Sequence, residues 1–139
     1  MRQSKIFVTV DILIFRKLST THEVLLIQRK NDPFKNAWAI PGGFVDEHED
    51  LEDAAKRELL EETGLHIDTL KQVQGFGKPY RDPRSHTVSI AFYGWAADDA
   101  EATAADDAAD ARWFSIGDLP ELAFDHSEII QVTREKMGI

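Results

Sequence analysis

The spacing of apolar positions changes along the chain, and each change marks an element. Residues 5–15, "KIFVTVDILIF", are dense in β-branched and aromatic side chains, which predicts a strand. Thr9 and Asp11 split its apolar run, and no small-residue cleavage site follows, so a strand fits better than a signal peptide. A second strand is predicted over 24–29, with His22 and Glu23 as the turn closing a hairpin. "NDPFKNAW" reads as a loop because Pro33 excludes regular structure. "WAIPGGFV" is a short extended segment broken by Pro41-Gly42-Gly43. The period then switches to 3.6: Leu51, Ala54, Ala55 and Leu59 form one helical stripe. Asp50 is the expected N-cap, with Asp53 completing a variant capping box, and Gly64 is the expected C′ residue. "HIDTLKQVQGFG", "HTVSIAFYGWAA" and "ARWFSIGDL" predict three more strands; in the second, Val88, Ile90 and Phe92 alternate with Thr87, Ser89 and Ala91. "DHSEIIQVTREKM" predicts a closing helix. Strands, helix, strands, helix is the order of an α+β, α/β/α-layered domain, and 139 residues suit one domain over 1–139.

Composition narrows the function classes. A formal charge of −9 opposes binding nucleic acid through its phosphates, which takes a basic face. No segment reaches the roughly 18 apolar residues of a membrane span. There are no cysteines, which removes disulfides and thiolate metal sites and fits a cytoplasmic protein. Residues 96–111, "AADDAEATAADDAADA", hold six acids and no base. That run reads either as a solvated loop or as a loop that sends one acid into an active site.

The helix raises a sharper question. Glu58, Glu61 and Glu62 stand three and four residues apart, so they are neighbours projecting to roughly one side, away from the apolar stripe. Like charges at that spacing destabilise a helix by a few tenths of a kcal/mol per pair, roughly, and the negative end of the dipole makes it worse. One reading is a solvated acidic face. The other is a site for a divalent cation with hard oxygen ligands, Mg²⁺ or Mn²⁺; zinc is disfavoured without a His or Cys cluster. The flanks favour the second. Gly42 and Gly43 allow close backbone approach, and Arg57 with Glu49 can brace loop against helix through a bidentate pair.

With those residues in place the resemblance is specific. Gly43, five residues, Glu49, seven residues, then "RELLEETGL" over 57–65 resembles the Nudix box, G-x5-E-x7-R-E-U-x-E-E-x-G-U, at all nine specified positions, with Leu59 and Leu65 as the aliphatic ones. The box spans 23 of 139 residues, and the strand order is similar to the Nudix fold, a mixed sheet between helices. The resemblance implies hydrolysis of a nucleoside diphosphate linked to another moiety, by attack of a metal-activated water on the pyrophosphate. It implies Mg²⁺, with Mn²⁺ as substitute, held by Glu58 and Glu62, by Glu61 directly or through water, and by the Gly42 carbonyl. Arg57 and Glu49 become structural partners, and Gly43 and Gly64 structural positions of the motif. A late-loop acid often completes such sites; here that is Asp107, then Asp106, with Glu101 behind them.

Substrate choice falls elsewhere. "PYRDPR", 79–84, and "LAFDHSEII", 122–130, resemble the ADP-ribose pyrophosphatase branch, as does Pro79 fifteen residues past Gly64; Tyr80 is also associated with dinucleoside polyphosphate hydrolases. Arg29, Arg81 and Arg84 are candidate phosphate or ribose contacts, and Phe44 and Tyr80 candidate adenine platforms. Trp38 and Trp113 are expected in the core, and His86 and His126 in local hydrogen bonds. The expected reaction is ADP-ribose to AMP and ribose 5-phosphate. The alternatives are a nucleoside triphosphate pyrophosphohydrolase, a dinucleoside polyphosphate hydrolase, or a nucleotide-sensing Nudix domain, the last disfavoured by the intact box. The expected partner is a small nucleotide, with neither nucleic acid nor membrane. A homodimer is compatible, since a second copy could complete the base pocket.

Overall fold

The computed structural model describes residues 3–104 and 108–139. Its centre is the strand β1 (Phe7–Leu18), which runs parallel to β6 (Thr87–Trp95) in an unbroken register from Phe7↔Thr87 to Phe15↔Trp95. A central strand is covered on both faces and therefore reads as a continuous apolar run. Successive side chains still alternate between faces. Val10, Ile12 and Ile14 pack with Ala54, Ala55 and Leu59 of helix α1 (Leu51–Thr63), while Leu13 and Phe15 pack with Ile129 and Ile130 of helix α2 (His126–Met137). The sheet thus lies between two helices, the α/β/α arrangement expected from the sequence.

The strand β2 (Thr21–Arg29) pairs with β1 only from Phe15↔Val24 to Leu18↔Thr21. Beyond that the two strands splay, and the segment 38–44 fills the wedge. Its first strand, β3 (Trp38–Ala39), pairs with β2 at Ile27↔Ala39; its second, β4 (Gly42–Phe44), pairs with β1 from Thr9↔Phe44 to Asp11↔Gly42. This insertion brings Gly42 and Gly43 into the sheet beside α1. Strand β5 (Lys71–Phe76) extends the sheet beyond β6, and β7 (Ala108–Ser115) pairs with the other edge of β2.

Several boundaries differ from the sequence reading. The hairpin turn is at Ser19-Thr20; His22 and Glu23 are strand residues, paired with Lys17 and Arg16. The cross-strand ion pair of Arg16 with Glu23, 2.7 Å, stabilises that register. Asp50 does begin α1, with extended dihedrals and its carbonyl accepting the Ala54 N–H at 2.9 Å, but its side chain caps nothing. The first turn is open to solvent there, so its amides need no side-chain partner. Gly64 ends the helix at φ 73°, the left-handed conformation glycine adopts without cost. Trp38 and Trp113 pack against the two cores as expected. Among the described residues no helix is long and apolar enough to cross a membrane.

Candidate active site

A cleft of about 810 Å³ opens where β4 meets α1. The three box glutamates line it, and so do Arg29, Arg84, Phe44 and Phe124. The site is built around Arg57. Its Nε and Nη2 donate to the two Glu49 carboxylate oxygens at 2.7 and 2.8 Å, the bidentate brace anticipated from the sequence. Nη2 also donates to the Phe44 carbonyl at 3.1 Å, and Nη1 donates to Glu58 Oε1 at 2.9 Å and Glu61 Oε2 at 3.2 Å. One guanidinium therefore fixes the loop, β4 and the acidic face of α1 together. The Arg57 hydrogen bond holds the Glu49 carboxyl down at about 2, and Glu49 in turn raises the guanidinium's pKa. Arg57→Lys keeps the charge but not the planar fork; it should lose about 1–3 kcal/mol of stability, the worth of charge-assisted bonds. Thermal melts compared with wild type check this, and an unchanged melt would contradict the brace.

The glutamates do not form the uniform acidic face that spacing suggests. Glu61 has 44% of its side chain exposed and Glu58 13%, while Glu62 is only 8% exposed. Glu62 Oε1 accepts the Gly42 N–H at 3.2 Å. Burial, then the Glu58 charge, pushes its pKa up to about 8; burial also raises Glu58. The reason is desolvation: a carboxylate taken out of water loses its hydration unless a partner replaces it. Two glycines permit this packing. A Cβ on Gly43 would lie 2.6 Å from the Glu58 carboxyl, and one on Gly42 would lie 2.1 Å from the Val10 carbonyl oxygen.

Do these residues fit a cation? Among the described residues, no three His, Cys, Asp or Glu side chains converge as a ready-made metal cage. Glu58 and Glu61 are turned toward Arg57, and Glu62 toward Gly42. Yet the donors are all hard oxygens, two of them on carboxylates kept from water with raised pKa. Such a set gains from a divalent ion of the Mg²⁺ or Mn²⁺ type, which takes one or two carboxylates and completes its shell with water and phosphate. The fit is chemical, and the shell would close only with those further ligands.

The substrate candidates divide. Arg29, Arg84 and Phe44 line the cleft. Arg29 Nε donates to the Pro33 carbonyl at 2.7 Å and its guanidinium lies 5.0 Å from the Phe124 ring. Arg84 pairs with Asp82 at 2.8 Å and lies between two rings, 5.5 Å from Phe44 and 5.6 Å from Phe124. That pair raises Arg84; for Asp82, burial pushes upward but the Arg84 hydrogen bonds outweigh it, leaving its pKa lowered. Arg81 departs from expectation. Its Nε and Nη2 donate to Asp125 at 2.9 and 2.7 Å and Nη1 to the Thr87 carbonyl at 3.4 Å, with the side chain 5% exposed, so the guanidinium borders the cleft as a brace. Tyr80 is 93% exposed and does not line the cleft; its backbone, at φ 69°, turns the ring into solvent. His86 Nε2 meets the Gly77 carbonyl at 3.3 Å, a local contact as expected. Asp106 and Asp107 lie outside the described residues, and exposed Glu101 is not on the cleft. The Thr103 N–H nonetheless bonds the Thr63 carbonyl at 2.9 Å, so residue 103 meets the C-terminus of α1 next to Glu62.

Sequence reasoning missed Asp11, Ser89 and Phe124, and read His126 too blandly. Asp11 is 6% exposed and accepts a short hydrogen bond from the Ser89 hydroxyl. His126 Nε2 lies 3.6 Å from Asp11 Oδ1, and burial holds its pKa below the usual histidine range. Phe124 stands at φ 53°, a conformation costly for a bulky side chain, and packs on Phe34 at 4.8 Å and His126 at 5.4 Å. One signal was visible: an acid at position 11 inside a strand buried on both faces.

A family model described as NUDIX domain matches residues 5–133. The chain is 40% identical over 132 residues to an ADP-ribose pyrophosphatase of Methanocaldococcus jannaschii, a match covering 94% of this chain and 77% of that protein. It is 37% identical to the ADPR responsive transcriptional repressor NtrR of Acinetobacter baylyi, covering 88% of this chain but about half (51%) of the repressor. Among solved structures, the NUDIX domain of Shewanella oneidensis NrtR complexed with ADP ribose superposes with a TM-score of 0.90 at 31% identity, covering 97% of this chain and 90% of that one.

Proposed function

The chain belongs to the Nudix family of pyrophosphohydrolases, and we propose that it hydrolyses ADP-ribose to AMP and ribose 5-phosphate. The observation that carries this reading is the cleft's composition: buried carboxylates share one cavity with three arginines, one of them the Arg81 brace, and two phenylalanines. A ligand with a charged pyrophosphate and a planar base matches both sets. The relative that is an ADP-ribose pyrophosphatase and the neighbour holding ADP ribose support the same choice.

Glu58 and Glu62, with the Gly42 carbonyl, would hold the cation, and Glu61, the most exposed of the three, would hold it directly or through water. When bound, the ion neutralises the pyrophosphate and supplies Lewis acidity at its oxygens. The chain's residues do the rest. Glu62 gives up its carboxyl proton as the site fills. Arg57 orients the Glu58 and Glu61 carboxylates through its Nη1. Arg29 and Arg84 bind phosphate or ribose oxygens, and the exposed Phe44 ring offers a face to the adenine. Water attacks one phosphorus, the bridging P–O bond breaks, and the water's proton passes to an acid of the late loop, assigned to Asp107 or Asp106.

A panel of ADP-ribose, NADH, diadenosine polyphosphates and dNTPs with Mg²⁺ or Mn²⁺ tests the substrate. ADP-ribose should show the highest kcat/KM, and a preference for dNTPs would reject ADP-ribose while keeping the reaction class. Likeness to a repressor favours a second reading, a domain that binds ADP-ribose without turning it over; tight binding with no products in the same panel would select it.

A further inference from the structure

The Ile40–Gly42 segment carries the backbone that meets Glu62, and three elements hold it. The Pro41 carbonyl accepts the Ile12 N–H from β1 at 2.8 Å. The Gly42 N–H goes to Glu62 on α1 at 3.2 Å. The Ile40 N–H goes to His126 Nδ1, at the first residue of α2, at 3.0 Å. Pro41 has no N–H to add. The histidine is therefore the segment's link to α2, and its own position is fixed on several sides. Arg81 clamps the preceding Asp125, the Phe124 ring packs at 5.4 Å, and Asp11, held by Ser89, lies 3.6 Å from Nε2. A ring nitrogen that accepts an amide N–H carries no hydrogen, so Nδ1 is bare and the ring hydrogen is on Nε2, facing Asp11.

We propose that His126 is a positioning residue for the hydrolysis: by accepting the Ile40 N–H it sets the Ile40–Gly42 segment, and through it the Gly42 backbone and Glu62, in the geometry that turnover needs. The inference rests on the function proposed above. A histidine that merely satisfied a buried amide could be lost at a cost in stability alone. A positioning histidine is different, because a misplacement of about 1 Å at a reacting site costs on the order of 100-fold in rate.

Three variants separate the two roles. Asn places Oδ1 where Nδ1 stands and keeps the acceptor. Gln carries its polar end to the Nε2 position, and Leu has no acceptor. His126→Leu and His126→Gln should lose about 10–100-fold in kcat, the usual cost of a lost orienting partner, with KM changed less than about twofold. His126→Asn should recover most of the wild-type kcat. Amide exchange at Ile40, followed by NMR, should accelerate in the Leu and Gln variants and stay slow in the Asn variant. In the wild type, ring ¹H–¹⁵N correlations should show Nε2 protonated and Nδ1 bare, a reading that needs no variant to fold. Full kcat in His126→Leu, equal impairment of the Asn and Leu variants, or a ring protonated at Nδ1 would each overturn the proposal. A wild-type protein that hydrolyses nothing rejects the proposed function instead; the tautomer and Ile40 exchange then still decide whether His126 holds the segment.

Discussion

Glu62→Gln should lose at least about 100-fold in kcat, since loss of a partner one step removed from a metal already costs 10–100-fold, while the fold persists. The two consequences come from one fact: Glu62 is buried in α1 beside Glu58 with its pKa pushed up to about 8. Without a cation, its folded-state pKa lies above the ordinary 4.5. The folded protein then holds a proton that the unfolded chain releases, so stability falls as pH rises from about 4.5 to about 8 and levels off above that. Glutamine never ionises and lacks this slope. In EDTA, the variant should melt above wild type, with a gap that widens between pH 5 and 8. Adding Mg²⁺ should raise the wild-type melting temperature at pH 8 and leave the variant nearly unmoved. A wild type that gains stability across that pH window in EDTA, or a variant with full turnover at saturating Mg²⁺, would contradict the assignment.

Arg81→Ala should be the most destabilising change in the cleft. The pair with Asp125 is bidentate and nearly enclosed, with the two side chains 5% and 18% exposed. Removing the cation strands a carboxylate at the start of α2, and breaking such a buried pair costs about 3–5 kcal/mol. For a domain of this size that corresponds to a drop of roughly 10–20 °C in Tm. Lysine should not rescue it, because one ammonium cannot reproduce the fork. At a temperature where the variant is folded, KM for ADP-ribose should change little. Unchanged melting with a raised KM would return Arg81 to the substrate-contact role that the "RDPR" turn suggested.

What the sequence made legible was local. The brace between Arg57 and Glu49 spans eight residues, and the three glutamates sit within one helical turn, so spacing on a helix was enough to place them. The alternation in β6 and the stripe of α1 likewise encode their own faces. The rest depends on topology. Arg81 reaches Asp125 across 44 positions, Ser89 reaches Asp11 across 78 and Ile40 reaches His126 across 86. No periodicity relates such pairs; they meet because β6 lies parallel to β1 and α2 returns over the same sheet face. The same reasoning explains why Arg81 resembled a substrate contact, since the partner that holds it lies 44 positions away, and why a solvated face was one reading of Glu62: spacing specifies direction from a helix axis, while burial depends on which element covers it. Tyr80 failed for a smaller reason, a left-handed backbone at a turn.

Addition of water across the pyrophosphate in the carboxylate cleft is read out by hydrolysis of ADP-ribose in ¹⁸O-water. With Mg²⁺ present, AMP and ribose 5-phosphate should form in equal amounts, with one ¹⁸O incorporated in the phosphate of one product. Neither product should form above background with Glu62→Gln. Release of ADP and free ribose, label outside the phosphates, or no Mg²⁺-dependent conversion at all would contradict it.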